Sequence, residues 1–255
     1  MATAKRRMNR WHYSATWSAL FRRVPGPVAL VWGLCAVAQF AIIVYLLREP
    51  IQTFGAFVAI FAGMWFFQAI QKGLYAPLRE IADRPDAEPT LGNVLGTSLR
   101  RLGAVFVIQF LIGLIFALIS VVFITLGAPL FAVFVVLQMF WFLLAPAVYF
   151  VVVRRDSSFE ALHRTLGVAR RYLLWIVGVP TVFWCLGSVL DEYIWSLAEA
   201  AIALFASDTL TLMRGLFLYV LFRYLRWLSV AAVYIAVDLQ LPRESDGDGA
   251  LILRR

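Results

Sequence analysis

Arg223 and Arg226 lie three residues apart in an otherwise apolar stretch, and on a helix they share one face with Tyr219, Val230 and, toward its edge, Tyr234. Counted from Arg214, they fall about 13 and 18 Å along the axis at 1.5 Å per residue, near the middle of a bilayer. Each central arginine costs about 2.5 to 3.5 kcal/mol on the insertion scale, and the pair about 5 to 7, while some ten apolar neighbours return about 3 to 6. Alone, this helix inserts marginally, so its arginines need partners. The apolar segments before it contain no internal Asp or Glu. The available partners are Gln39, Gln68, Gln109, Gln138, backbone carbonyls, water, an anionic ligand or lipid headgroup, or an acidic residue on a partner subunit. The chemistry open to the stripe Tyr219, Arg223, Arg226, Tyr234 is therefore anion, lipid or partner contact. The alternative is structural: Arg226 snorkels inward and Arg223 bonds to glutamines and carbonyls inside the bundle.

Other chemistries find no residues. The two histidines, His12 and His163, both sit on segments flanking apolar stretches, with no paired metal-ligand spacing, and neither G-x-x-x-x-G-K-[ST] nor G-x-S-x-G occurs. No catalytic residue, metal or cofactor is expected, and the chain reads as non-enzymatic. Cys35 and Cys185 fall inside apolar segments, where they act as small apolar residues, not as a disulfide framework. Asp191 and Glu192, being adjacent, point different ways on a helix and read as solvated loop charge.

The elements that must position the stripe follow from composition. Of 255 residues, 62% are hydrophobic and 15% charged, well above the apolar share of a soluble domain. Six segments meet the length and polarity test for a helical crossing: about 27–47, 53–75, 102–126, 129–153, 172–190 and 214–238. Pro27 and Pro129 mark the starts of the first and fourth, Pro77 and Pro146 lie toward the inner ends of the second and fourth, and Pro180 should kink the fifth. The N-terminus has no small-residue cleavage pattern after its basic start, so the first apolar run reads as a retained span, not a signal.

Basic residues are divided unevenly between the two sides. Residues 1–26 hold six Lys and Arg, 76–101 four, 154–171 five and 239–255 three, whereas the other side holds only Arg48 and Arg214. Lys72, Arg223 and Arg226 lie within spans. The asymmetry predicts both termini in the cytoplasm. The net charge of +8 sits beside apolar spans, so membrane phospholipid is its counter-charge and nucleic acid is not expected.

Three arginine doublets, Arg22-Arg23, Arg100-Arg101 and Arg170-Arg171, each precede an apolar stretch that goes out and comes back, at spacings of 78 and 70 residues. They predict an all-α, polytopic bundle of three amphipathic-helix-plus-hairpin repeats, about 11–75, 90–153 and 157–238, in a single domain over 1–240. The doublets would lie at the interface. Residues 157–173 place Phe159, Leu162, Leu166, Ala169 and Leu173 on one face and Glu160, His163, Arg164 and Arg170 on the other, behind an S-x-x-E capping box of Ser157 and Glu160. Weaker copies are Trp17, Leu20, Phe21 and Val24, and then Leu91, Val94, Leu95 and Leu102 with Thr90 as cap. Each would lie in the interface plane with its apolar face down. Residues 191–213 form the only sizeable external loop, with a short interfacial helix over Ser196 to Phe205, and the tail from Arg243, within 241–255, reads as disordered.

Ala145-Pro146, then Phe159-Glu160-Ala161-Leu162, Arg164-Thr165, Trp175 and Gly178, resemble the six-pass bacterial membrane proteins grouped with the membrane domain of glycerophosphodiester phosphodiesterase and with YciC-like proteins. Tyr234, Asp238 and Arg243-Glu244 are similar to that family's closing Tyr, Asp-Leu-Arg and Arg-Glu elements, although Thr165 replaces the usual Ser and Gln240 a basic residue. The resemblance covers about 140–245 and implies a multi-pass inner-membrane protein whose phosphodiesterase, where one exists, is a separate soluble domain. Three two-helix repeats are also similar to mitochondrial carriers, but P-x-[DE]-x-x-[KR] is missing at Pro77 and Pro146. The first expectation is a structural, accessory or membrane-organising subunit contacting phospholipid and other membrane subunits. The second is a transporter or lipid-handling protein that engages an anion at Arg223 and Arg226.

Overall fold

Large apolar side chains face outward in this chain and amides face inward, the reverse of a bundle folded in water. Leu130, Phe131 and Leu174 are 77%, 78% and 86% exposed, while Gln39, Gln71, Gln109, Ser98 and Thr165 are buried. In the computed structural model, residues 10–24, 26–48, 53–83, 89–187, 189 and 209–241 are described. They form α1 (Arg10–Arg23), α2 (Gly26–Arg48), α3 (Phe54–Gly73), α4 (Tyr75–Asp83), α5 (Leu91–Arg100) and α6 (Leu102–Thr125). There follow α7 (Leu130–Leu144), α8 (Pro146–Val153), α9 (Ser158–Ile176), α10 (Gly178–Gly187) and α11 (Thr209–Asp238). No strand occurs among the described residues.

Four stretches are long and apolar enough to cross a membrane: Gly26–Leu46, Leu102–Thr125, Leu130–Val153 and Met213–Asp238. The bent pair α9 and α10 raises the number to five. The expected second span is the 20-residue α3, which is not among these and whose last turns carry Gln68, Gln71 and Lys72. The expected helix over Ser196 to Phe205, the acids Asp191 and Glu192, the side chain of His12 and the tail from Arg243 lie outside the described residues.

Prolines divide the helices where their chemistry requires. A proline ring clashes with the carbonyl four residues back and removes one N–H. α3 ends at Gly73, four before Pro77, and a turn at Leu74 starts the separate α4, so the helix does not run on through Pro77. α7 gives way to α8 at Ala145, with Pro146 in the first turn of α8. The fifth expected span, 172–190, is not one straight helix: α9 runs through the third arginine doublet to Ile176, four before Pro180, and α10 leaves it at 50°. Tyr172 in α9 already departs from helical geometry, with φ −124° and ψ 25°. α11 begins at Thr209, earlier than the expected 214.

The expected caps form. Ser157 Oγ accepts from Glu160 N at 3.4 Å while Ser157 N donates to Glu160 Oε2 at 2.9 Å, and the backbone bond with the hydroxyl holds the Glu160 carboxyl below its usual range. Thr90 Oγ1 accepts from Asn93 N at 3.3 Å. α9 packs on the bundle by a face other than its large apolar stripe. Ala161, Thr165, Val168 and Tyr172 are buried, whereas Phe159, Leu166 and Leu173 point outward. Small residues let α9 approach the bundle, and the larger apolar stripe is left for lipid. Arg22, Arg100, Arg170 and Arg171 are exposed and Arg101 is half-buried.

α11 is the centre of the bundle. Over half of its spanning window, 56%, is buried, against 17% for α6, which is therefore peripheral. It packs on α1, α2, α4 and α9. Trp17 of α1 ties to it by donating its indole N–H to Ser229 Oγ at 2.9 Å. One close approach fixes α3 against α5: a Cβ on Gly73 would lie 2.8 Å from Ser98 Cα. Only glycine fits there.

Candidate anion site and the ion layer beneath it

The C-terminal half of α11 borders a cavity of about 290 Å³ shared with α2, α3, α4, α7, α8 and α10. Arg223, Arg226, Val230 and Tyr234 line it, so four of the five residues on the expected stripe meet there. Tyr219 does not. Its buried ring packs on Phe40 and lies under the Arg223 guanidinium, 4.7 Å from the carbon to the ring centroid.

The third cation of the cavity is Lys72, which the sequence reading placed within a span without assigning it a role. Gln68, Gln71 and Lys72 all line the cavity, and their spacing of three and four residues puts them on one face of α3. That spacing was the signal available. Lys72 Nζ is buried without a hydrogen-bond partner, 4.8 Å from the centroid of the Trp141 ring. The indole N–H groups of Trp32 and Trp227, also on the cavity wall, are likewise unpartnered. Among the described residues, no Asp or Glu lines the cavity.

A relay of amides sets the polarity of the wall. Arg223 Nη1 donates to Gln39 Oε1, Gln39 Nε2 to Gln71 Oε1, and Gln71 Nε2 to the Trp32 carbonyl, each at 3.3 Å. Because arginine only donates, it fixes which way Gln39 points, and Gln39 then fixes Gln71. Of the four glutamines offered as partners, Gln39 is the one bonded to Arg223. Gln68 lines the cavity, whereas Gln109 and Gln138 do not.

Below the cavity, three tyrosines from different helices meet: Tyr75 of α4, Tyr149 of α8 and Tyr234 of α11. Their ring centroids lie 5.8, 6.1 and 5.8 Å apart. One turn further along the same helices comes an ion layer. Asp238, 3% exposed, accepts from Arg79 Nε at 2.7 Å and from Arg154 Nε at 2.5 Å, and Arg154 Nη2 reaches the Asp238 carbonyl at 3.2 Å. Arg79 also pairs with Asp83 at 2.5 Å. Burial disfavours the Arg79 charge, but the bonds to Asp83 and Asp238 outweigh it and hold its pKa above the ordinary arginine value. Arg155, in the left-handed region at φ 63°, turns the chain between α8 and α9.

No protein-family model, curated protein or solved structure matches this chain. Among the described residues, no group of three or more His, Cys, Asp and Glu could hold a metal ion. The cavity is built from donors: two guanidinium groups, an ammonium, two indole N–H groups and amides, backed by aromatic rings. Such a set is chemically suited to an anion that carries an apolar body.

Proposed function

We propose that this chain is a non-enzymatic integral membrane protein that binds an anionic amphiphile, through its phosphate or carboxylate, in the cavity beside α11. In this reading it crosses the bacterial inner membrane six times as three hairpins, with both termini in the cytoplasm, and shares descent with the six-pass family it resembles. The observation that carries the binding site is Lys72 Nζ, buried and unpartnered, in a cavity that Arg223 and Arg226 also line and that no carboxylate lines among the described residues. A buried charge without a partner is costly, and an anion beside Lys72 compensates it. The outward-facing apolar surfaces of α6, α7 and α9 support a lipid solvent.

The structural or membrane-organising role has one observation in its favour, the bond of Arg223 to Gln39, which satisfies that arginine without a ligand. It leaves Lys72 unexplained. Native mass spectrometry of the purified protein separates the two. Wild type should retain an acidic lipid that the Lys72→Gln, Arg223→Gln, Arg226→Gln triple variant loses. Equal lipid in both would leave the structural role standing.

A further inference from the structure

Two short helices and the end of one long helix close the cavity at its lower end. α4 and α8 are nine and eight residues long, and each is joined to its preceding helix by a break, at Leu74 and Ala145, next to a proline. α11 runs unbroken for 30 residues to Asp238. The three tyrosines form the floor, since Tyr75 and Tyr234 line the cavity and Tyr149 packs against both. Arg79 and Arg154 then reach from the short helices to Asp238.

Exposure rises outward across that layer: Asp83 is 34% exposed and Arg154 14%, against 3% for Asp238. We propose that these layers are a gate: Asp238 latches the two hinged helices shut, and release of Arg79 and Arg154 opens the cavity to the basic face. The chain then moves an anion between the cavity and that face, which rests on the anion-binding reading above. The latch suits such a cargo. An approaching phosphate or carboxylate competes with Asp238 for Arg154 and Arg79, and beyond them meets Lys72, Arg226 and Arg223.

The test is water access, read without any added anion. In full-length protein carrying Cys35→Ala and Cys185→Ala, Val230→Cys places one thiol on the cavity wall, and His163→Cys in a parallel protein marks the basic face. Both are treated in membrane vesicles of either orientation with a membrane-impermeant maleimide. Adding Asp238→Asn should speed labelling of the cavity thiol about tenfold or more, as a closed state loses two charge-assisted hydrogen bonds. The increase should come only from the face that labels His163→Cys, and Asp238→Glu should keep the wild-type rate. If Asp238→Asn does not fold, Arg154→Gln, which leaves the Arg79 pair intact, should give a smaller increase from the same face. An unchanged rate in a folded variant, or an equal rise from both faces, overturns the gate. Failure to retain acidic lipid would count against the binding reading and leave the labelling result intact.

Discussion

Replacing Lys72 with methionine removes a buried cation and keeps the volume of its stem, and the two readings of the cavity assign it opposite effects. Lys72 Nζ has no hydrogen-bond partner, and an unsatisfied buried donor costs about 1 to 3 kcal/mol, more when charged. Against that stands its contact with the Trp141 ring at 4.8 Å, worth about 0.5 to 1 kcal/mol. Without an anion, Lys72→Met should therefore be neutral or stabilising by up to about 2 kcal/mol, or roughly 4 to 8 °C in melting temperature for a chain of this size. With an anion the order reverses. A ligand at a hundred times its Kd stabilises wild type by about 2.7 kcal/mol, and the variant should lose most of that shift. The assay is thermal unfolding of detergent-solubilised protein, with a short-chain anionic phospholipid and with a zwitterionic one as control. A variant that is destabilised without lipid and keeps the full anionic shift would refute the assignment of Lys72 as an anion ligand.

Three further outcomes follow from the geometry. Gly73→Ala puts a methyl 2.8 Å from Ser98 Cα, and forcing α3 off α5 should cost about 1 to 3 kcal/mol in chemical denaturation, whereas Gly92→Ala, where the space is open, should not destabilise. Ser157→Ala removes the α9 cap and should lower stability by about 1 kcal/mol; because the Glu160 carboxyl is held below its unfolded pKa, the cap's contribution is present at neutral pH and is lost as pH falls through the carboxylate range, a trend readable from denaturation at stepped pH. Arg223→Leu with Arg226→Leu should leave membrane insertion intact or improved, as read by glycosylation mapping. If that pair abolishes assembly with a partner protein while lipid content stays the same, ligand binding is not their role.

Local features were legible in the sequence because their causes are local. The Ser157 box, the Thr90 cap and the proline breaks depend on residues within one turn, and the α11 stripe depends only on helical period. Gln39 was one of four glutamines open to the arginines, and only the packing of α2 on α11 selects it for Arg223. Which face of α9 packs was not legible: the stripe of Phe159, Leu166 and Leu173 stays outward, where an interfacial helix would hold it, and the neighbouring helices decide that Ala161, Thr165 and Val168 turn inward. Lys72 looked like a lysine at the end of a span, and only the break at Leu74 and the neighbouring helices enclose it. The ion layer was out of reach for a different reason: its partners stand 159 and 84 residues from Asp238. Charge counts had assigned Arg79 and Arg154 to topology, and only the tertiary fold pairs them.

The most direct measurement is a map of the protein in nanodiscs containing acidic phospholipid. Phosphate or carboxylate density within hydrogen-bond distance of Lys72 Nζ, facing Arg223 and Arg226, is the expected result. A lysine bonded instead to protein carbonyls, with no anion in the cavity, or a chain that stays monodisperse in water without detergent, would contradict it.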